Sequence, residues 1–343
     1  MFELPEKLKS FTAYKPLVGD YKVRLDVNES FIEIEPEKIT EAISAVKFNR
    51  YPDPYATGAV KAFSGLLNVN PALVTAGNGS DELIGLIVNA LLQRDDKVLC
   101  LDNDFTMYKF YSTLIELDTF VLPKNSDLTI DVSLLIEKVN SENIKCVFFS
   151  NPCNPTSLGI FKTDVKKIIE NTSALIVLDE AYMDFWDEAE SLLDEAGNYD
   201  NLIILRTCSK SVALAGIRLG FAVSNEKITN ALKKTKSPFN VNAVTQAIGE
   251  AILSDSDNYF NSIKFIKEST AQLYNGLKAL NIFQKIYETR TNFVYVKTPQ
   301  AKEVYNYLLG KSIAVRCFDG HLRICAGTEE ENEMLFEELK KWK

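Results

Sequence analysis

Residues 97–122 begin Lys97-Val98-Leu99-Cys100-Leu101, continue through a helical pattern over 106–116, and end Thr119-Phe120-Val121-Leu122. The two apolar runs read as strands and the segment between them as a helix. The same alternation continues on the C-terminal side. A helix is expected over 131–139, a strand over Cys146–Phe149, and a helix over 163–170 with Thr163 as its cap. Strands Leu175–Leu178, Leu202–Leu205 and Gly220–Val223 follow. Upstream, Val74 leads through Ala76-Gly77-Asn78-Gly79 into a helix over 80–92. Continuous apolar runs separated by helices indicate an α/β fold, a mostly parallel central sheet with helices on both faces. Ligands bind such sheets off the carboxyl ends of the strands.

From about Lys227 the pattern changes. Long helices are expected over 227–253 and 258–280, then a strand at Asn292–Val296, a helix over 300–309, and short strands at 313–317 and 321–325. Thr328-Glu329-Glu330-Glu331 opens a last helix with a capping box. This tail reads as a smaller α+β domain. The expected division is a large domain over 28–226 and a small one from 1–27 and 227–343.

Composition bounds the chemistry. The chain has 343 residues and a net charge of −9, which disfavours non-specific nucleic-acid binding. There is one histidine, His321, and the six cysteines show no metal-ligand spacing. Zinc, iron–sulfur and Ser-His-Asp chemistry are therefore poorly supplied. Cys100 and Cys146 lie in strand-like runs and read as buried thiols of a reducing compartment. The N-terminal Met1–Phe11 has no apolar signal core, and Leu83–Leu92 is too short to span a bilayer. A soluble, cytoplasmic protein is expected.

The chemistry-bearing motifs fall at expected strand ends. Thr207-Cys208-Ser209-Lys210-Ser211 follows one strand, with Leu214-Ala215-Gly216-Ile217-Arg218-Leu219-Gly220 next. Lysine forms imines with carbonyl compounds. Hydroxyls and an arginine suit a phosphate. An aldehyde that also carries a phosphate is pyridoxal 5′-phosphate, PLP. Gly77-Asn78-Gly79-Ser80-Asp81 opens a helix whose free amides suit a phosphate, without the Gly-Lys-Ser/Thr of a P-loop. Ser150-Asn151-Pro152-Cys153-Asn154-Pro155-Thr156 makes a rigid, non-helical turn that would hold the Asn154 amide. Asp179, in Leu178-Asp179-Glu180-Ala181-Tyr182, is a strand-end carboxylate that calls for a cation such as a protonated pyridine nitrogen. Phe105-Thr106-Met107-Tyr108 offers an aromatic face for a flat ring.

In this order and spacing the motifs resemble those of the fold-type I PLP-dependent aminotransferases. Over essentially the whole chain they are most similar to the histidinol-phosphate aminotransferase subfamily. The cues for it are Asn49-Arg50-Tyr51-Pro52-Asp53-Pro54, Gly77–Glu82, Leu214–Gly220 and His321-Leu322-Arg323-Ile324-Cys325-Ala326-Gly327-Thr328. The resemblance implies that Lys210 binds PLP as an imine and then moves the proton between substrate and cofactor. It implies that Asp179 keeps the pyridine nitrogen charged and that Asn154 and Tyr182 bond the ring oxygen. Tyr108 would stack on the ring. Ser80, Asp81, Thr207, Ser209 and Arg218 would surround the phosphate. Tyr51 would reach the phosphate of a neighbouring subunit, which makes the protein a homodimer with shared sites. Arg323 would grip the anionic end of the substrate, with Arg316 on a neighbouring strand. Tyr14, Asn28 and Glu29 match N-terminal substrate-side residues.

The implied reaction moves an amino group from L-histidinol phosphate to 2-oxoglutarate in histidine biosynthesis. Two other reactions fit the same scaffold: transamination of aromatic amino acids, and decarboxylation of a phosphorylated amino acid such as threonine phosphate. A PLP-sensing regulator would need a DNA-binding module for which this sequence leaves no room. Two departures from the subfamily pattern stand out. Ser157 replaces a usual glycine, which should adjust the loop without altering the chemistry, and Phe105 replaces a usual tyrosine, which removes a hydroxyl at the pocket mouth.

Overall fold

The computed structural model describes residues 2–13, 15–187 and 190–342. Two sheets organise them. The larger has seven strands: β2 (Val74–Asn78), β3 (Lys97–Leu101), β4 (Asp118–Leu122), β5 (Cys146–Ser150), β6 (Leu175–Asp179), β7 (Leu202–Thr207) and β8 (Leu219–Ser224), in the order β2-β8-β7-β6-β5-β3-β4. Only β8 runs antiparallel to its neighbours, so the mostly parallel reading holds.

Successive side chains of a strand point to opposite faces, and this sheet buries both. Leu99, Val147, Phe149, Ile176, Leu178 and Ile204 enter one core, shared with α5 (Val132–Ser141) and α6 (Lys162–Glu170). Val98, Cys100, Cys146, Phe148, Val177 and Ile203 enter the other, shared with α3 (Gly79–Leu91). Cys100 and Cys146 are buried, as their strand positions require.

The second sheet has the order β1-β11-β12-β10-β9, from β1 (Val23–Leu25), β9 (Lys285–Ile286), β10 (Phe293–Lys297), β11 (Ile313–Phe318) and β12 (His321–Cys325). The N-terminal segment joins it through β1, parallel to β11. Helices α10 (Ala301–Gly310) and α11 (Glu329–Lys341) share its core. Thr328 and Glu331 form the expected capping box of α11.

Several local expectations change. The segment 227–253 is two helices, α7 (Glu226–Thr235) and α8 (Ala243–Leu253). The break follows Lys236, which turns extended ahead of Ser237-Pro238, where proline can supply no helical N–H. Both helices pack on the larger sheet: Ile228 and Leu232 enter one of its cores, Ile248 and Ile252 the other. The handover comes in α9 (Ser256–Leu280), whose Tyr259 and Ile263 belong to the first sheet's core and whose Ile266 and Leu273 belong to the second's. Thr163 does not cap α6. That helix starts at Lys162, whose N–H is met by Glu190 Oε2 at 2.6 Å. Helices α1 (Pro36–Ser44) and α2 (Thr57–Leu66) precede β2 and were not expected. No helix of the described residues is long and apolar enough to cross a membrane.

Candidate active site

The register of the larger sheet collects the motifs on one edge. Ser150 lies opposite Asp179, Asp179 opposite Leu205, Thr207 opposite Gly220, and Asn78 opposite Leu219. Parallel strands end together, so motifs far apart in sequence become neighbours.

Lys210 stands in the turn after β7. Its Nζ donates to the carbonyls of Asn28 at 2.9 Å and Val27 at 3.4 Å. Burial lowers its pKa to about 8, which brings the neutral, nucleophilic amine within reach of physiological pH. The turn is fixed from beneath by a buried charge cluster. Arg206, on β7, donates to Glu180 Oε2 at 3.2 Å and to the carboxylate of Asp184, and the Ser211 hydroxyl also donates to Asp184. Glu180 follows Asp179 directly and Ser211 follows Lys210 directly. The cluster therefore ties the two central side chains to one another through their neighbours. Glu180, Asp184, Arg206 and Ser211 escaped the sequence reading because their partnership spans gaps of 22–27 residues.

Asp179 ends β6. Its Oδ2 accepts from the Tyr108 hydroxyl at 2.8 Å and its Oδ1 from the Ala181 N–H at 3.0 Å. Burial raises its pKa to about 6, against the two hydrogen bonds that favour the ionised form. Among the described residues no lysine or arginine pairs with it. A buried carboxylate in that state is a receptor for a cation.

Tyr108 requires a correction. Its ring is fully buried and stacks on Phe148 at 5.5 Å, leaving no face open to a ligand. Its hydroxyl serves Asp179 instead. Phe105 packs edge-on against Tyr108 and keeps part of its surface exposed, so it is the aromatic of this motif with a face to offer.

The expected phosphate residues converge. Thr207 Oγ1 and Ser209 Oγ are 3.1 Å apart, and Arg218 Nη1 donates to Ser209 Oγ at 3.3 Å. Arg218 lies across the start of α3: a Cβ on Gly79, whose φ is +73°, would stand 2.7 Å from Arg218 Nη2. A Cβ on Gly220 would stand 2.4 Å from the Ser80 backbone nitrogen. The two glycines thus let a helix N-terminus, hydroxyls and a guanidinium share one small space. Asp81 lies at its side, its pKa raised by burial and opposed by Arg218, with Oδ1 lacking a partner.

The second sheet closes the opposite side. Arg323 on β12 donates from Nη1 to Asn154 Oδ1 at 2.5 Å and from Nη2 to the Asp26 carbonyl at 2.7 Å, while its buried Nε has no partner. Phe293 and Phe318 flank the guanidinium at 5.5 and 5.8 Å. Arg316 sits opposite Arg323 on β11, on the same face of the sheet. Burial lowers the Arg323 pKa, and Arg316 adds to the effect. Two neighbouring guanidiniums with a spare donor call for an anion. Asn28 Nδ2 donates to the Tyr182 hydroxyl at 2.9 Å, and burial pushes the Tyr182 pKa up to about 12. The side-chain oxygens of Asn28 and Asn292 are buried without partners.

Two expected residues fall elsewhere, and a third is not described. Tyr51 is 83% exposed and stacks on Phe239 at 4.7 Å, on the outer surface. Glu29 is exposed and contributes a backbone carbonyl to Cys325. Tyr14 lies outside the described residues. Ser157, expected only to adjust its loop, does more. At φ +64° it is fully buried, and its Oγ donates to Thr289 Oγ1 at 3.1 Å, lies 2.8 Å from Thr291 Oγ1 and accepts from the Arg290 N–H at 3.0 Å. Arg290 in turn donates to the Gly159 carbonyl and lies over the Trp186 ring. The Asn-Pro turn of the first sheet is thereby strapped to the approach to β10 in the second.

A mostly parallel sheet with a lysine, a cation-seeking carboxylate and an anion cradle on one edge defines a fold-type I transferase scaffold. The comparisons with known proteins agree. Residues 18–339 match the family described as aminotransferase class I and II, and the chain belongs to it. It is 39% identical over 344 residues to a histidinol-phosphate aminotransferase of Clostridium kluyveri, covering 98% of this chain and 97% of that one. With the enzyme of that name from Clostridium novyi it shares 40% over 333 residues, 95% and 93% of the two chains. Among solved structures, the histidinol-phosphate aminotransferase of Sinorhizobium meliloti in complex with pyridoxal-5′-phosphate superposes with a TM-score of 0.89 at 23% identity, over 98% of this chain and 96% of that one. At that identity the likeness speaks for the fold.

Proposed function

We propose that this protein is a PLP-dependent aminotransferase of histidine biosynthesis, taking an amino group from L-histidinol phosphate and delivering it to 2-oxoglutarate. The observation that carries the reading is Asp179, a buried carboxylate without a cationic partner, on the same sheet edge as Lys210 and the anion cradle. The site suits PLP at both ends. The cradle of Ser80, Thr207, Ser209 and Arg218 would hold the phosphate, Asp179 would hold the ring nitrogen, and Asn154 and Tyr182, bonded to Arg323 and Asn28, would hold the ring oxygen. When bound, PLP supplies an electron sink for the carbon that carries the amino group.

The remaining work falls to the chain's own groups. Asp179 holds the sink in its charged form. Lys210, with a pKa near 8, would hold the cofactor through Nζ, and that nitrogen would carry a proton to and from the substrate carbon. The Asn28 and Val27 carbonyls orient its Nζ at rest. Tyr108 steadies Asp179, and Phe105 would cover the ring. Arg323 and Arg316 take the anionic end of the substrate. A guanidinium fork accepts phosphate and carboxylate alike, which lets an amino-alcohol phosphate and a dicarboxylic keto acid use one site in turn. The names of the relatives at 39–40% identity favour histidinol phosphate as donor.

The protein works as a homodimer in this reading. Phe48, Tyr51 and Tyr55 are exposed aromatics on one stretch of chain, beside Phe239. Together they form a surface that a second copy would cover, with Tyr51 reaching the partner subunit's phosphate cradle. Sedimentation that gives a monomer would remove that role.

A half-reaction without keto acid tests the function. The PLP-loaded protein is mixed with L-histidinol phosphate or, separately, with L-phenylalanine, and the cofactor absorbance is followed. Conversion by histidinol phosphate is the expected result, and preference for phenylalanine would move the protein to aromatic amino-acid metabolism. Conversion by neither, with carbon dioxide released from threonine phosphate, would make it a decarboxylase.

A further inference from the structure

A buried lysine–cysteine pair lies beside this site without a part in it. Lys124, just beyond β4, places Nζ 3.0 Å from Sγ of Cys153 in the turn after β5. The Lys124 side chain is 1% exposed and Cys153 2%. Both heads donate to one acceptor, the Asn103 carbonyl, Nζ at 3.0 Å and Sγ at 3.4 Å. Nitrogen and sulfur are therefore held against each other by a third group. The Asp104 carboxylate stands 3.9 Å from Nζ, held by the Ser150 hydroxyl and the Phe105 N–H. Burial raises the Asp104 pKa, so it can receive a proton. Burial alone would lower the Lys124 pKa, but Cys153 and Asp104 outweigh it and leave it raised. Thiol, amine and proton acceptor thus stand in one enclosed cluster.

We propose that Cys153 and Lys124 form a site of covalent modification, at which hydrogen peroxide oxidises the thiol and the lysine amine then closes on the sulfur in a direct S–N bond. In the first step the thiol takes one oxygen from peroxide and becomes a sulfenic acid. Sulfur is oxidised by two electrons and peroxide is reduced to water. In the second, Asp104 takes a proton from the Lys124 ammonium and frees the nitrogen lone pair. The N–S bond forms as the S–O bond breaks, and the departing hydroxide leaves as water with a further proton from nitrogen. Relative to the free amine and thiol, the pair has lost two hydrogen atoms. Sulfenic acids condense with backbone nitrogen in this way, and here a side-chain nitrogen is already in contact. Two equivalents of a small thiol reverse the reaction, restoring amine and thiol and leaving a disulfide of the reductant. The cross-link joins the segment after β4 to the residue preceding Asn154, the acceptor for Arg323.

The test uses the PLP-loaded protein. It is treated with dilute hydrogen peroxide, denatured, alkylated at its remaining thiols, digested with trypsin and analysed by mass spectrometry. The expected product is a joined pair of peptides carrying Lys124 and Cys153, lighter than their sum by two hydrogen atoms. It should disappear on treatment with dithiothreitol and be missing from Lys124→Arg and Cys153→Ser. Oxygen added to Cys153 while Lys124 stays unjoined would overturn the proposal, and so would a Cys153 that remains alkylatable throughout. Both are read on the unmutated protein, so a variant that folds poorly does not shield the idea. Because the readout is mass and not turnover, either result stands apart from the choice of amino donor.

Discussion

The edge of the seven-stranded sheet and the face of the five-stranded sheet meet at one site but are built differently. The first presents residues at strand ends and in the turns just past them: Asp179 and Thr207 close β6 and β7, and Asn154 and Lys210 follow β5 and β7 within a few residues. The second presents Arg316 and Arg323 from within strands, held by pairing across β11 and β12. One side collects an uncompensated carboxylate and a depressed amine, the other a pair of guanidiniums. The strand-end side suits the making and breaking of bonds, the mid-strand side the holding of an anion. Mutations on the two sides should then differ in kind as well as in size.

The largest effect is expected from Lys210→Ala, which should lower turnover by about 10³-fold or more while the cradle still binds PLP non-covalently. Steady-state rates and cofactor retention on a desalting column check both halves, and retained turnover would break the division between the two sides. Asp179→Asn should cost about 10²–10³-fold in turnover and yet stabilise the cofactor-free protein. The sign follows from linkage. With its pKa raised from 3.8 to about 6, Asp179 binds its proton more tightly in the folded state, so folding stability falls as pH rises through that window. Asparagine escapes the penalty, worth about 3 kcal/mol at pH 7, and thermal melts of the cofactor-free pair would measure it. Arg323→Gln belongs to the other side and should raise KM for the amino donor by about 10²-fold while PLP loading stays intact. Lost loading would show that the arginine serves the cofactor. The rate of PLP capture should climb about tenfold per pH unit below the Lys210 pKa of about 8 and level off above it, because only the neutral amine attacks. A rate flat from pH 6 to 9 would oppose that assignment. The smallest effect is expected of Ser157→Gly, which relieves a left-handed backbone but cuts the strap between the sheets. A rise in donor KM of about threefold with unchanged cofactor affinity would mark the strap as a positioning element.

The same contrast explains what could be read from sequence. Strands such as Cys146–Ser150 are buried on both faces, so their apolar runs are unbroken and easily recognised. The motifs at their ends inherit that clarity. Arg323 and Arg316 look like any strand arginine until the pairing of β11 with β12 sets them side by side, and only family resemblance singled them out. Tyr108 was legible as an aromatic at a strand end but not as the partner of Asp179, since its orientation depends on Phe148 from another strand. The gap between α7 and α8 was marked by Pro238 and passed over within a helical pattern. Thr163 looked like a cap because nothing local reveals that Glu190 reaches the Lys162 N–H.

Lys210 makes its resting hydrogen bonds to the backbone carbonyls of residues 27 and 28, with the Tyr182 ring 5.7 Å away. Substitution at either position leaves those oxygens in the chain, so inherited change there can alter the neighbourhood of Tyr182 while the resting contact of the amine persists. The side chain of Asn28 can answer to the substrate, its carbonyl to the nucleophile, and the two duties can diverge within a lineage. A site arranged in this way can explore new amine donors by mutation without first losing hold of its own reactive group.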